Sequence, residues 1–164
     1  MELWDAYDEN YNKIEGMTLV RGEERSFPDG VYHLVCDVLV RHVDGTYLIM
    51  QRAPVKTYAG MWEATAGGSA LKGETPFEGA VRELFEETGI SSSDLTEVRR
   101  EVSPGKHSVY FGYYHVTDCD KQSIKLQEGE TSDFRWITKE EFLNLGEGEL
   151  LTEWAKEFVR KDNF

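Results

Sequence analysis

Apolar residues recur along this chain at two different periods. Short runs rich in β-branched and aromatic residues occupy residues 32–41 (YHLVCDVLVR), 46–52 (TYLIMQR) and 108–117 (SVYFGYYHVT), and each reads as a strand. Asp44-Gly45 supplies a hairpin turn between the first two. Residues 62–66, 95–102 and 131–138 predict further strands, with Pro104-Gly105-Lys106 as a turn. Near the start, Leu3-Trp4 and the apolar residues 17–20 flank the turn-rich DENYNK. A β-hairpin extension is predicted within residues 1–31.

Between Thr75 and Gly89 the apolar spacing changes to three and four, the period of a helix. Thr75 is a suitable N-cap, Pro76 suits the first helical position, and Glu78 completes a capping box. Gly89 can end the helix in the left-handed conformation. Phe77, Ala80, Val81, Leu84 and Phe85 are expected to form its buried face, leaving the acidic residues on the remaining surface. A second capping box, Thr138 to Glu141, opens a short helix through Phe142 and Leu145. A last helix over 149–160 places Leu150, Leu151, Trp154, Phe158 and Val159 for burial. Strands with one helix among them and helices at the end predict the α/β class, a mixed β-sheet sandwiched between helices.

Composition narrows the function. The chain has 164 residues, which suits one domain over 1–164, and a formal net charge of −13. No basic footprint exists for a nucleic acid polymer. Cys36 and Cys119 form no CxxC pair, so a reducing, cytoplasmic location without disulfides is expected. The opening MELWDAYDEN is acidic and polar, unlike a signal peptide, and no apolar run reaches the ~18 residues of a membrane span. His33, His42, His107 and His115 are scattered without metal-ligand spacing and are expected to be structural.

The helix over 76–88 carries the chemistry. Glu83 lies four residues from Glu87 and three from Glu86, so the three carboxylates converge on one patch, broken only by Arg82. Like charges at that spacing repel, and a divalent cation with its preference for oxygen would relieve them. A plain solvated acidic face is the other reading.

The wider spacing separates the two. Gly68, five residues, Glu74, seven residues, and then Arg82-Glu83-Leu84-Phe85-Glu86-Glu87-Thr88-Gly89-Ile90 fills every fixed position of the Nudix box over 68–90. The chain resembles the Nudix hydrolases. Its N-terminal ELWDAYDENYN and the loop before the box are similar to the branch of isopentenyl-diphosphate isomerase-like Nudix proteins. The resemblance implies the Nudix fold and metal-dependent hydrolysis of a diphosphate linkage, by water attack at phosphorus. The implied substrate is a nucleoside diphosphate linked to another moiety, or a similar small nucleotide. Glu83, Glu86 and Glu87 would hold Mg2+ or Mn2+, with a backbone carbonyl of Gly67 or Gly68 as a further ligand. Arg82 and Glu74 would tie the loop to the helix and orient those ligands. The general base would be Glu83 or a later glutamate, for which Glu130 is the candidate and Glu128 and Asp133 the fallbacks. Arg52, at the end of a strand facing the site, would bind a substrate phosphate. Small diphosphates are the expected partners, with no membrane, and the N-terminal hairpin offers a surface for a homodimer.

Two other functions compete. An isomerase on the same fold needs a cysteine where this chain has Gly67 and a metal-binding histidine where it has Ser69, and no cysteine lies within thirty residues. A non-catalytic nucleotide-binding module would be expected to lose box glutamates, and here all are retained.

Overall fold

The computed structural model describes residues 1–162. The hairpin is present as β1 (Leu3–Tyr7) and β2 (Lys13–Val20). The main sheet is built from β3 (His33–His42), β4 (Tyr47–Arg52), β5 (Trp62–Glu63), β6 (Thr65–Ser69), β7 (Thr96–Ser103), β8 (Ser108–Thr117) and β9 (Thr131–Ile137). The helices are α1 (Pro76–Thr88), α2 (Lys139–Leu143) and α3 (Glu153–Lys161).

The strand order is β5-β4-β3-β8-β7, with β6 paired to β3 and β9 to β4. β3 and β8 run parallel from His33 beside Ser108 to His42 beside Thr117, while the other strand pairs are antiparallel, so the sheet is mixed. The two-residue period of β3 and β4 divides the core. Leu34, Cys36, Val38, Leu48 and Met50 meet Ala80 and Leu84 of α1 on one face. Leu39, Tyr47 and Ile49 meet Phe142, Ala155 and Val159 of α2 and α3 on the other. This is the expected sandwich. The hairpin adds a third small core around Trp4, whose ring stacks on His33 at 4.2 Å. No helix of the described residues is long and apolar enough to cross a membrane.

Several local expectations are corrected. The inward face of α1 is Gly79, Ala80, Glu83, Leu84, Glu87 and Thr88, and Phe77 and Phe85 are exposed. Glu83 and Glu87 therefore point inward, and Glu86 outward. The reason lies in β6, where the helix packs over glycines and leaves space that carboxylates enter. The stretch 62–66 is two strands broken at Ala64, and Gly67 and Gly68 lie inside β6, opposite Asp37 and Cys36, instead of in a loop. The last helix begins at Glu153 because residues 149–151 pair instead with the edge at Trp62. The Trp62 amide donates to Glu149 O at 2.7 Å, and the Leu151 amide to Trp62 O at 2.9 Å.

Candidate active site

α1 starts and stops as its sequence dictates. Thr75 and Glu78 form the reciprocal capping box, and Gly89 closes the helix at φ 78°. Between the caps, β6 determines which side chains turn inward. A Cβ on Gly68 would lie 2.7 Å from Glu83 Oε1, so only glycine leaves room for that carboxylate. One strand position earlier, the Gly67 amide donates to Glu87 Oε2 at 3.1 Å.

Arg82 binds this arrangement together. Its Nε and Nη2 donate to the two oxygens of Glu74 at 2.7 and 3.0 Å, and Nη2 also reaches Ser69 O at 3.1 Å. Its Nη1 bridges Glu83 at 2.8 Å and Glu86 at 3.0 Å. Glu74 in turn accepts from the Leu71 amide at 2.8 Å, which fixes the turn before the helix. One guanidinium thus spans loop, strand and helix.

The carboxylates differ in electrostatics. Burial pushes Glu74 up, but its bonds to Arg82 and the Leu71 amide outweigh this and hold it below the usual range. Glu83 is raised, by burial first and by Glu86 and Glu74, against the pull of Arg82. Glu87 is raised well above the usual range, by burial, then by the charges of Glu83 and Glu63, with Gly67 opposing and Glu130 adding to the rise. Three carboxylates, Glu74, Glu83 and Glu86, share one guanidinium there, and the buried Glu87, which has no cation partner among the described residues, faces further negative charge. Hard oxygen donors with surplus negative charge fit a divalent cation. Among the described residues no three acidic, His or Cys side chains are already drawn together as a ligand set, and Arg82 stands between Glu83 and Glu86.

On the opposite face of the sheet, a cleft of about 890 Å³ opens between β3, β6, β8 and α3 and reaches Gly67 and Gly68. Arg52 lines it at the end of β4, paired with Glu63 and donating through Nε to Thr57 O at 2.6 Å. Glu130, just before β9, forms an ion pair with Lys56 and accepts the Ala53 amide on its backbone oxygen at 3.0 Å. Glu128 and Asp133 are exposed.

Among the charged residues of this cleft that sequence reasoning missed are Asp37, Glu63 and Arg99. Burial raises Glu63 against the pull of Arg52. Asp37 is pushed up to about 7 by burial, with Arg99 at 4.0 Å opposing. A signal existed for Asp37: it is a lone carboxylate inside the apolar run LVCDVLV, where an unneeded charge would be costly. Glu63 and Arg99 stand in short, mixed stretches, MWEAT and EVRRE, with no long apolar run to mark them.

Residues 31–161 match the NUDIX domain family. An uncharacterized Nudix hydrolase of Listeria monocytogenes is 38% identical over 143 residues, spanning 86% of this chain and 82% of its own. An isopentenyl-diphosphate Delta-isomerase of Streptomyces coelicolor is 38% identical over 98 residues, 58% of this chain and 47% of its own. The crystal structure of DR0079 from Deinococcus radiodurans shares the fold with a TM-score of 0.75 at 22% identity, over 99% of this chain and all of that one. With the match extending through the sheet, the box helix and α3, the chain belongs to the Nudix hydrolase family.

Proposed function

We propose that this protein hydrolyses the diphosphate linkage of a nucleoside diphosphate linked to another moiety, or of a similar small nucleotide, with Mg2+ or Mn2+ as cofactor. The observation that carries this reading is the burial of Glu83 and Glu87 together against the glycines of β6. Two carboxylates held in that position are costly in a purely structural helix and useful at a phosphate.

Glu83, Glu86 and Glu87, with a carbonyl of Gly67 or Gly68, would hold the ion. A bound divalent ion neutralises phosphate oxygens and makes water a better nucleophile. Arg82 presents Glu83 and Glu86 in fixed orientation, and Glu74 anchors Arg82 through two hydrogen bonds. Arg52 is aimed into the cleft by Glu63 and by Thr57 O, with guanidinium N–H groups left for a phosphate oxygen. Glu83 is the favoured base, since it lies within the carboxylate cluster of α1, while Glu130 is engaged by Lys56. Two free cysteines suit a reducing, cytoplasmic setting.

The isomerase alternative needs one revision. Cys36 is distant in sequence, yet β3 places it opposite Gly68. It is fully buried on the α1 side, and burial pushes its thiol far up, so it is not available to a substrate in the cleft.

The test is phosphate or nucleotide release from a panel of diphosphate compounds with Mg2+, with Mn2+ and with EDTA. The Glu86→Gln and Glu87→Gln variants and isopentenyl diphosphate serve as controls. Metal-dependent turnover lost in both variants is expected. Absence of turnover in folded, metal-binding protein would favour a binding module, and interconversion of isopentenyl diphosphate would favour the isomerase.

A further inference from the structure

The floor of the cleft is built around one carboxylate. Asp37 lies in the middle of β3, and its neighbours in the two flanking strands are both glycine, Gly67 in β6 and Gly112 in β8. No side chain covers it from either side. Arg99 is brought over the same spot by two devices. The register of β7 slips between Glu97 and Arg99, which sets Arg99 opposite Gly112 and turns its side chain toward the cleft. A Cβ on Gly112 would lie 3.1 Å from Arg99 Cβ and 3.2 Å from Asp37 Oδ1, so glycine there is what lets the pair approach.

The guanidinium is then held in place. It lies 5.4 Å from the ring centre of Tyr110 and 5.3 Å from that of Trp154, pairs with Glu101, and has Nη1 4.0 Å from Asp37 Oδ2. Asp37 Oδ1 and Trp154 Nε1 are buried with no hydrogen bond of full geometry among the described residues, the indole N–H being close enough to the carboxylate to pull its pKa down against burial. Buried polar groups are rarely left so, and those that are ask for an explanation.

We propose that Asp37 and Arg99 are specificity-determining residues that read the edge of a nucleobase on the diphosphate substrate. Asp37 accepts from a ring or amino N–H, and Arg99 donates to the neighbouring ring nitrogen or carbonyl oxygen. An ionised carboxylate only accepts and a guanidinium only donates, and the Watson–Crick edge of each base sets a donor beside an acceptor. An isoprenyl chain offers neither and would strand the buried polar groups of this floor. The cleft, at about 890 Å³, has the capacity for a nucleotide-sized ligand. This inference rests on the hydrolase reading for the identity of the substrate but concerns a different part of the site.

The experiment is a titration of the metal-free protein with AMP, GMP, CMP, UMP and ribose 5-phosphate, followed through the Trp154 indole N–H signal in a 15N–1H NMR spectrum. Trp154→Phe assigns that signal. At least one nucleotide is expected to shift it and to bind about tenfold or more tighter than ribose 5-phosphate, with Asp37→Asn and Arg99→Lys each removing that advantage. Equal binding of ribose 5-phosphate, or an advantage retained in both variants, overturns the proposal. Arg99→Lys guards against a folding defect of Asp37→Asn, since it leaves the floor carboxylate in place. Base-dependent binding in a protein that hydrolyses nothing in the diphosphate panel would uphold this subsite while sinking the catalytic reading.

Discussion

α1 and α3 lie on opposite faces of one sheet and use their buried sides differently. α3 buries Ala155 and Val159, keeps Trp154 half-buried at the cleft and Phe158 half-buried against Tyr114, and pairs the exposed Glu157 and Lys161 at i,i+4. α1 buries Ala80 and Leu84 but also Glu83 and Glu87, while Phe85 stands 57% exposed. One helix is amphipathic in the service of packing. The other gives up part of its apolar face to hold charge where charge is unfavourable, which is the trade expected between stability and activity.

Breaking that trade on α1 should give the largest effects. Glu87→Gln keeps the shape and removes the charge, so kcat/KM with Mg2+ is expected to fall by about a thousandfold, or ~4 kcal/mol in barrier. The same variant, without metal at pH 7, is expected to melt above the wild type, because burial and neighbouring charge disfavour the ionised carboxylate that the amide replaces. A loss below tenfold, or a lower melting temperature, would break the comparison. Next comes Leu84→Ala, on the part of α1 that packs in the ordinary way; urea unfolding should show a loss of roughly 2–5 kcal/mol.

A third expectation concerns pH. Asp37 is raised to about 7, so the folded protein keeps a proton that the unfolded chain releases near ~4. The stability this provides is complete below ~4 and is lost as pH rises to about 7. Calorimetry of metal-free protein over this window should show a shallower fall in Tm for Asp37→Asn than for the wild type. Glu63, Glu83 and Glu87, also raised, keep some slope in the variant, and His33, lowered by burial, opposes it. Parallel curves would remove Asp37 from the account. The smallest effect belongs to Phe85→Ser, which should change stability by no more than about 0.5 kcal/mol, since that ring packs on the outside of α1. A larger loss would mean that this exposed ring is held against something.

What the sequence revealed followed local rules. Caps at Thr75 and Thr138, the turn at Asp44-Gly45 and the long strand runs of β3, β4 and β8 depend on neighbours along the chain, and all are present in the fold. What it concealed depended on pairing across strands. Phe77 and Phe85 continue the helical period of Leu84, and nothing local says that β6 would offer glycines to Glu83 and Glu87 instead. Cys36 beside Gly68, and Arg99 beside Asp37, meet only after β6 and β7 take their places in the sheet. The bulge that turns Arg99 inward has no sequence mark beyond Gly112 in the facing strand.

α3 is fastened at both ends. Before it, residues 149–151 exchange backbone hydrogen bonds with Trp62; after it, the Asp162 carboxylate accepts from Tyr47 and, at 3.2 Å, from Tyr114. A wall tied down on either side of a cleft sets its width in advance. A ligand therefore meets an aperture instead of a pair of jaws, and the ordering of that side is complete before anything binds. Thickness becomes a criterion of entry in its own right, applied before any hydrogen bond is tried.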